Sequence, residues 1–274
     1  MDQALETPVV RVRGDVVTAT RDRVAIERAL QIRVRIGDDE RVLSTTMRTP
    51  GDDVALAVGF LHGEGVLAGA GALRGAEQLG DDSVRVELAA EAAAALAASE
   101  RAFVTSAACG VCGRTSLDGL ASCGGNLVDD GGGVTAAVIH RLPDALRAAQ
   151  AAFVSTGGLH AAALFSLSGD LLAAHEDVGR HNAVDKLVGR LLLAGKLPLS
   201  RAVLMLSGRA SFELVQKAEA AGIPIVAAVG APSSLAVERA AAAGMTLLGF
   251  VRDGGFNVYC GAARVAGLND ANVV

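Results

Sequence analysis

The sequence predicts an α/β fold, α+β overall, in which a smaller N-terminal α+β domain precedes an α/β domain with a mixed sheet. Three observations indicate this class. The second half alternates short apolar runs with segments of helical period, which is typical of a largely parallel sheet. The first half contains strands with apolar and polar side chains in alternation. A glycine-rich stretch at residues 129–133 separates the halves, so we expect domains at residues 1–130 and 134–274.

The first domain opens with strand-like sequence over residues 9–48, where residues 31–36 alternate most clearly. Residues 52–67 carry apolar side chains at helical spacing, and residues 83–88 alternate again. An alanine-rich stretch that follows predicts a short helix at residues 91–99. The domain ends in a cysteine loop of small residues at 105–116 and the glycine-rich hinge.

The second domain begins with a predicted helix, in which Pro143 lies near the first turn. A predicted hairpin comes next. Helices and strands then alternate, and because each strand follows a helix, the strands should lie mostly parallel. The predicted helices are residues 142–153, 181–193, 211–221 and 233–243, and the predicted strands are residues 160–166, 171–176, 202–206, 223–229, 246–251 and 256–259.

Composition excludes several classes of function. Aromatic residues make up only 3% of the chain, which argues against a nucleic-acid platform built on stacking. Lysine and arginine number 25 against 30 acidic residues, so the net charge of −5 offers no broad basic surface for nucleic acid or membrane. The first residues do not resemble a secretory signal, and no apolar stretch is long and unbroken enough to span a membrane. We expect a soluble cytoplasmic protein with reduced cysteines.

Two thiols lie three positions apart, at Cys109 and Cys112, among glycines and near Arg114. This arrangement suits either metal binding or sulfur chemistry, and a neighbouring cation favours the reactive thiolate. A four-thiolate zinc site needs a second pair, but Cys123 and Cys260 are isolated. The alternative is two small buried residues in a tight turn. We interpret Cys109 and Cys112 as the catalytic pair and the other two cysteines as structural.

A zinc deaminase would carry H-x-E and, later, P-C-x-x-C. The chain does contain His62-Gly63-Glu64 before the cysteine pair, but Ala108 stands where the motif requires proline. His62 also falls late in a predicted helix rather than at the start of one. We therefore interpret His62 as an ordinary histidine on the surface of a helix.

Polar residues gather where predicted strands end and helices begin. Arg180, His181 and Asn182 follow one strand, and Ser207, Gly208 and Arg209 follow the next, with a third junction at residues 230–234. Helix N-termini present free N–H groups that bind phosphate, and arginines add forked donors. The three junctions together predict a cradle for a nucleotide or pyrophosphate, although each by itself could be plain helix capping. His160, beside Gly157 and Gly158, is a further candidate at the edge of this pocket.

Several of these motifs together resemble the FdhD/NarQ family of formate dehydrogenase accessory sulfurtransferases, in order from about residue 9 to residue 264. The resemblance rests on residues 156–160, 176–186, 207–213, 250–252 and 256–259, with Cys109 and Cys112 upstream. It implies that Cys109 accepts sulfur from a cysteine desulfurase as a persulfide. The sulfur then passes to the molybdenum cofactor, Mo-bis(molybdopterin guanine dinucleotide), and the sulfurated cofactor activates formate dehydrogenase.

The resemblance also implies further properties. The cofactor-binding segment maps to Phe250, Val251, Arg252, Asp253, Gly254 and Gly255. The second domain is expected to have the three-layer fold of cytidine deaminase, without its zinc, and the protein to form a homodimer. Since the junction residues occupy the places of the zinc ligands in a deaminase, we expect them to bind the dinucleotide's phosphates, with GDP or GMP as mimics. A zinc-dependent deaminase-like hydrolase and a non-catalytic cofactor or guanine-nucleotide carrier remain as alternatives.

Overall fold

The computed structural model describes residues 3–67, 69–106 and 132–268. Its first half contains six strands and two helices among these residues: β1 (Ala4–Arg13), β2 (Val16–Ala25), β3 (Arg28–Ile36), β4 (Asp39–Arg48), α1 (Asp53–Gly63), β5 (Leu73–Gln78), β6 (Ser83–Leu88) and α2 (Ala93–Ser106). The second half contains α3 (Ala136–Ala149), α4 (Ala151–Thr156), β7 (His160–Ser166), β8 (Leu171–Asp177), α5 (Arg180–Leu193), β9 (Ala202–Leu206), α6 (Phe212–Ala220), β10 (Ile225–Ala228), α7 (Ser234–Ala242), β11 (Thr246–Arg252) and β12 (Gly255–Cys260).

Three sheets organise the described residues. β1 and β2 form a separate antiparallel hairpin, and a four-stranded sheet has the order β4-β3-β6-β5. The larger sheet has the order β12-β11-β10-β9-β7-β8, in which β9, β10 and β11 are parallel and β7 runs against β9. The expectation of an α+β fold with mixed sheets is therefore confirmed.

Both faces of the six-stranded sheet are covered, because its central strands are apolar on both sides. In β9, Leu204 belongs to the core on the side of α5, α6 and α7, whereas Met205 belongs to the core on the side of α3. Every residue of β9 and β10 is buried. The second half thus forms three layers: helix, sheet and helices.

Helix α1 joins the two halves. It covers the four-stranded sheet with Leu56, Val58 and Leu61, and Leu192 of α5 belongs to the same core. The opposite side of α1 packs against α5 so closely that the two helix backbones are in contact. A Cβ added to Gly59 would lie 1.9 Å from the carbonyl oxygen of Asp185. Only glycine allows the two helices to approach so closely.

The helix predicted at residues 142–153 is wrong in its bounds. The chain forms α3 and α4 instead, which meet at Gln150. The side chain of Thr135 caps α3 by accepting a hydrogen bond from the backbone N–H of Val138 at 3.2 Å, so α3 starts six residues earlier than predicted. Pro143 therefore lies inside α3, not in its first turn.

The sequence does not predict strand β5, because apolar and polar residues do not clearly alternate along it.

The predicted cysteine pair falls outside the described residues. So do Arg114, Cys123 and most of the predicted hinge. The domain boundary near residues 130–134 therefore stays a prediction. No helix among the described residues is long and apolar enough to cross a membrane.

Candidate functional site

The predicted cofactor-binding residues converge on one edge of the six-stranded sheet. The carboxyl ends of the parallel strands β9, β10 and β11 meet there, as does the end of β8. β7 begins at this edge because it runs antiparallel to β9, and β12 begins there because it runs antiparallel to β11. His160, Arg180, Ser207 and the β11–β12 turn are thus brought together although they are spread over about a hundred residues of sequence.

His160 and Ser207 join β7 to the loop after β9. The backbone N–H of Ala161 donates to Ser207 Oγ at 2.8 Å, and the Ser207 N–H donates to the Ala161 carbonyl at 3.0 Å. Gly208 lies directly beside the imidazole, since a Cβ there would be in ordinary contact with His160 Nδ1 at 3.4 Å. Burial, followed by the nearby positive charges of Arg180 and His181, lowers the pKa of His160. The neutral imidazole is therefore favoured at this edge.

The loops after β9 and β10 enclose a pocket of about 200 Å³. They are tied by backbone hydrogen bonds, from Gly230 N–H to the Gly208 carbonyl at 3.0 Å and from Ser233 N–H to the Ala210 carbonyl at 3.0 Å. Two arginines, two serines and three apolar residues line the pocket: Arg180, Arg209, Ser211, Ser233, Ala210, Ala231 and Pro232. Since binding pockets for whole small molecules usually exceed about 300 Å³, this one suits phosphate groups rather than an entire nucleotide.

The side chains at this pocket differ in how far they are already hydrogen-bonded within the protein. Ser211 is the N-cap residue of α6, but its side chain caps no backbone N–H. Ser233, by contrast, caps α7 in the usual way by accepting from the Ala236 N–H at 3.3 Å. The Nε of Arg180 is buried without a hydrogen-bond partner among the described residues. The pocket combines two arginine side chains with the N-cap residues of α6 and α7, and this combination favours an anion as the ligand.

A contact between a histidine and a carboxylate flanks the pocket. His181 Nε2 lies 2.9 Å from Glu213 Oε2 and 3.2 Å from Ser211 Oγ. The hydrogen bond from His181 lowers the pKa of Glu213 despite partial burial, and the charges of His181, Lys217 and Arg180 act in the same direction. Glu213 is therefore ionised and holds the His181 ring at the start of α6. Sequence reasoning missed Glu213, although its place in the first turn of a helix was visible.

The side chain of Asn182 forms hydrogen bonds within the protein instead of facing the pocket. Its amide nitrogen donates to the carbonyl of Met47 at 2.8 Å and to Asp177 Oδ1 at 2.9 Å, and the residue is 9% exposed. Both amide donors are thus used within the protein. Its predicted contact with the cofactor stays a prediction.

The β11–β12 turn carries the predicted cofactor segment. Phe250 and Asp253 both have left-handed backbone, at φ 52 and φ 53, beside Gly254 at φ 72. Such a conformation costs about 1–3 kcal/mol for a residue with a side chain and persists only where the surroundings hold it. The Phe250 N–H donates to the Gly230 carbonyl at 3.1 Å and ties the turn to the pocket loop. Val251 is fully buried in the core, so the exposed members of the segment are Arg252, Asp253, Gly254 and Gly255.

Gly157 and Gly158 lead into β7. Gly157 ends α4 with φ 68, and Gly158 N–H donates to Thr156 Oγ1 at 3.3 Å. Glu176 accepts from the backbone N–H groups of Ala152 and Phe153 at 2.9 and 2.7 Å, so it caps α4. These contacts fix the start of β7, where His160 lies. The glycines have a local structural role, and their contact with a cofactor stays a prediction.

The interpretation of His62 as a surface residue is wrong. His62 is 5% exposed, with Nδ1 at 2.8 Å from the Leu67 carbonyl and Nε2 at 3.0 Å from the Ala220 carbonyl. Ala220 belongs to α6, which covers this side of α1 in the folded chain. No group of three or more His, Cys, Asp or Glu capable of holding a metal ion occurs in the described part of the chain.

Comparison with known proteins gives consistent matches. A family model described as the FdhD/NarQ family matches residues 25–266. A sulfur carrier protein FdhD of Streptomyces avermitilis is 49% identical, with 94% of each chain covered. A sulfur carrier protein FdhD of Sulfurisphaera tokodaii is 42% identical, and the match covers 96% of this chain and 99% of the relative's chain.

The comparison with solved structures agrees. A crystal structure from Desulfotalea psychrophila, provisionally described as a formate dehydrogenase accessory protein, superposes with a TM-score of 0.77 at 25% identity. The match covers 96% of this chain and 100% of that chain.

Proposed function

Because the chain belongs to the FdhD/NarQ family, we propose that it is a sulfurtransferase that carries sulfur for formate dehydrogenase. Relatives at 49% and 42% identity over most of the chain bear the name sulfur carrier protein FdhD. The observation that supports the cofactor end of this role is the phosphate-sized pocket at the sheet edge, where Arg180 and Arg209 face the open N-terminus of α6.

The first transfer takes place at Cys109. Its thiolate attacks the outer sulfur of a persulfide on a cysteine desulfurase, so a new S–S bond forms at Cys109 and the desulfurase cysteine leaves as a thiolate. Arg114 favours the thiolate form of Cys109. Cys112 shares or resolves the resulting persulfide.

The second transfer delivers sulfur to the substrate, Mo-bis(molybdopterin guanine dinucleotide). The S–S bond breaks, its electron pair returns to Cys109 as a thiolate, and the molybdenum supplies the two electrons that turn the outer sulfur into sulfide. The protein holds the dinucleotide's phosphates through Arg180, Arg209 and the N–H groups of α6. The pocket fits such a group, since two arginines and the N-cap serines of α6 and α7 line it.

The family resemblance supports further proposals about the fold, the location and the oligomeric state of the protein. The second half has the three-layer fold of cytidine deaminase and has exchanged the zinc ligands for phosphate-binding residues at Arg180 to Asn182 and at Ser207 to Arg209. The protein works in the cytoplasm as a homodimer. GDP or GMP mimics the cofactor, because either presents a guanine nucleotide with phosphate.

Persulfide formation at Cys109 is the decisive test. After incubation with a cysteine desulfurase and cysteine, intact mass spectrometry should show a gain of one sulfur on the wild-type protein and none on Cys109→Ala. Cys109→Ala should still bind GDP, because the pocket at the sheet edge is unchanged. Cys260→Ala is the matched control and should load normally, since Cys260 Sγ donates to the Met245 carbonyl within the sheet.

The outcomes separate the candidate functions. Loading of Cys109→Ala, or no loading of the wild type, would contradict the mechanism. GDP binding without any loading would indicate the non-catalytic carrier, and a tightly bound stoichiometric zinc would indicate the deaminase-like hydrolase.

A further inference from the structure

A buried carboxylate at the end of β8 collects four hydrogen-bond donors. Asp177 is fully buried. Its Oδ1 accepts from the Gly179 N–H at 2.8 Å and from Asn182 Nδ2 at 2.9 Å. Its Oδ2 lies 2.7 Å from Lys186 Nζ and accepts from the Thr49 N–H at 3.1 Å. The four donors fill the lone-pair sites of a carboxylate, which has about four.

These donors come from two places only. Gly179, Asn182 and Lys186 belong to the N-cap and first two turns of α5, and Thr49 belongs to the loop between β4 and α1. Thr49 is tied back at two more points. Its carbonyl accepts from Lys186 Nζ at 2.7 Å, and its Oγ1 accepts from the Val178 N–H at 3.2 Å. The first half of the chain is thereby locked onto the start of α5.

The start of α5 is also where the pocket residues stand. Arg180 and His181 lie between Gly179 and Asn182, the two residues that Oδ1 holds, so their backbone has little freedom. Arg180 lines the phosphate-sized pocket, and His181 pairs with Glu213 beside it. Binding groups whose positions are fixed before the ligand arrives lose less entropy on binding.

We infer that Asp177 is a positioning residue for the anion pocket: it touches no ligand, but it fixes the backbone from which Arg180 and His181 reach the nucleotide's phosphates. The inference rests on the proposed function, since the ligand is the guanine nucleotide of the cofactor. The inference assigns Asp177 to nucleotide binding and not to the chemistry at Cys109, so its loss should lower nucleotide affinity and leave sulfur loading in place.

The chain offers a matched control for this test. Asp185 and Lys217 form a second buried ion pair, with 2.7 Å between Lys217 Nζ and Asp185 Oδ1, and Asp185 is 2% exposed. That pair joins α5 to α6 through a hydrogen bond that involves no residue of the first turn of α5, so its interaction with His181 is electrostatic only. Neutral double replacements of either pair keep the net charge of the protein and leave no buried charge unpaired.

The experiment compares D177N/K186M with D185N/K217M by calorimetric titration with GDP. The Asp177 double variant should bind GDP about tenfold more weakly, because Thr49 and the start of α5 are no longer clamped. The Asp185 double variant should stay within about threefold of wild type. Asp177→Asn alone serves as a further variant if it folds, and it should weaken binding in the same direction.

Activation of formate dehydrogenase provides a readout that a merely structural role would not reproduce. In D177N/K186M the cofactor concentration for half-maximal activation should rise while the plateau and the sulfur loading of Cys109 stay near wild type. Unchanged GDP affinity in this variant, or an equal loss in both double variants, would overturn the inference. Failure of the wild-type protein to bind GDP at all would count against the proposed function instead.

Discussion

At the scale of single residues, the charges around the pocket act in opposite directions on different groups. Arg180 and His181 add to the effect of burial and lower the pKa of His160, whereas His181 lowers the pKa of Glu213. One histidine is thus kept neutral while a neighbouring carboxylate stays charged. Positive potential accumulates at the sheet edge, where an incoming phosphate would find it.

Arg180→Ala should change two measurements at once. GDP affinity should fall about tenfold or more, because a charge-assisted hydrogen bond contributes about 1.5–3 kcal/mol. The pKa of His160, followed by NMR of its ring protons, should rise towards the ordinary value because a nearby positive charge is gone.

Arg209→Ala separates the two effects. Arg209 lines the pocket but is not among the groups that shift His160, so this variant should lose GDP affinity and leave the His160 titration in place. A His160 pKa that does not move in Arg180→Ala would contradict the electrostatic argument.

The lowered pKa of His160 also determines how the stability of the protein should depend on pH. Since its pKa is lower in the folded protein, the unfolded chain takes up the proton first as pH falls. Stability is therefore lost on acidification through the ordinary histidine range. The loss should be smaller in Arg180→Ala.

At the scale of elements, the contact between α1 and α5 depends on two glycines. Gly59 faces the Asp185 carbonyl and Gly189 faces the Ala55 carbonyl, and a Cβ added at either glycine would lie only 1.9 Å from the facing oxygen. Because the helices approach so closely, Asp185 and Lys186 of α5 lie against α1 and the loop that precedes it. It also positions the loop after β4, whose Thr49 holds the start of α5.

Gly59→Ala should lower stability by about 1–3 kcal/mol through overpacking, even though alanine favours a helix. In a chain of this size the melting temperature should fall by about 2–4 °C per kcal/mol, measured by circular dichroism. Gly71→Ala is the control, since no heavy atom lies within 4 Å of the added Cβ and the backbone is not left-handed. A Gly59→Ala melting temperature as high as that of the control would show that the helices separate at little cost.

At the scale of the whole molecule, helix α5 links two of the three cores: Leu192 belongs to the core of the four-stranded sheet and Leu187 to one core of the six-stranded sheet. α1 covers the four-stranded sheet and packs on α5, which itself covers the six-stranded sheet. The buried contacts of Thr49 with Asp177 and Lys186 add a polar link between the halves. The four-stranded and six-stranded sheets are therefore coupled through α1 and α5, and the domain bounds at residues 1–130 and 134–274 stay a prediction.

Unfolding should be one cooperative transition for both sheets, because neither core is complete without α1 or α5. Hydrogen exchange of peptides from β3 and β6 should lose protection at the same urea concentration as peptides from β9 and β10. Saturating GDP should raise both midpoints together, since the ligand binds only the folded protein. Separate midpoints would mean that the two domains unfold independently.

The types and order of the elements from β7 onward could be predicted from sequence, whereas the single helix predicted before β7 is two helices. Strands of alternating or wholly apolar residues and helices of regular period leave a local signal, and so do polar residues at their junctions. The same local signals identified Arg180, Ser207 and Arg209 as neighbours of one edge. They also carried the family resemblance, which the comparisons confirm.

Packing between distant elements determines the contacts that the sequence does not predict. The burial of His62 against α6, the clamp of Thr49 on Asp177 and the pairing of Glu213 with His181 join residues that are far apart in the chain. Local periodicity reports which side of an element is apolar, but it does not report which element will cover that side. Those contacts depend on how the layers stack, and stacking is a property of the whole fold because each close approach requires both partners to present matching surfaces.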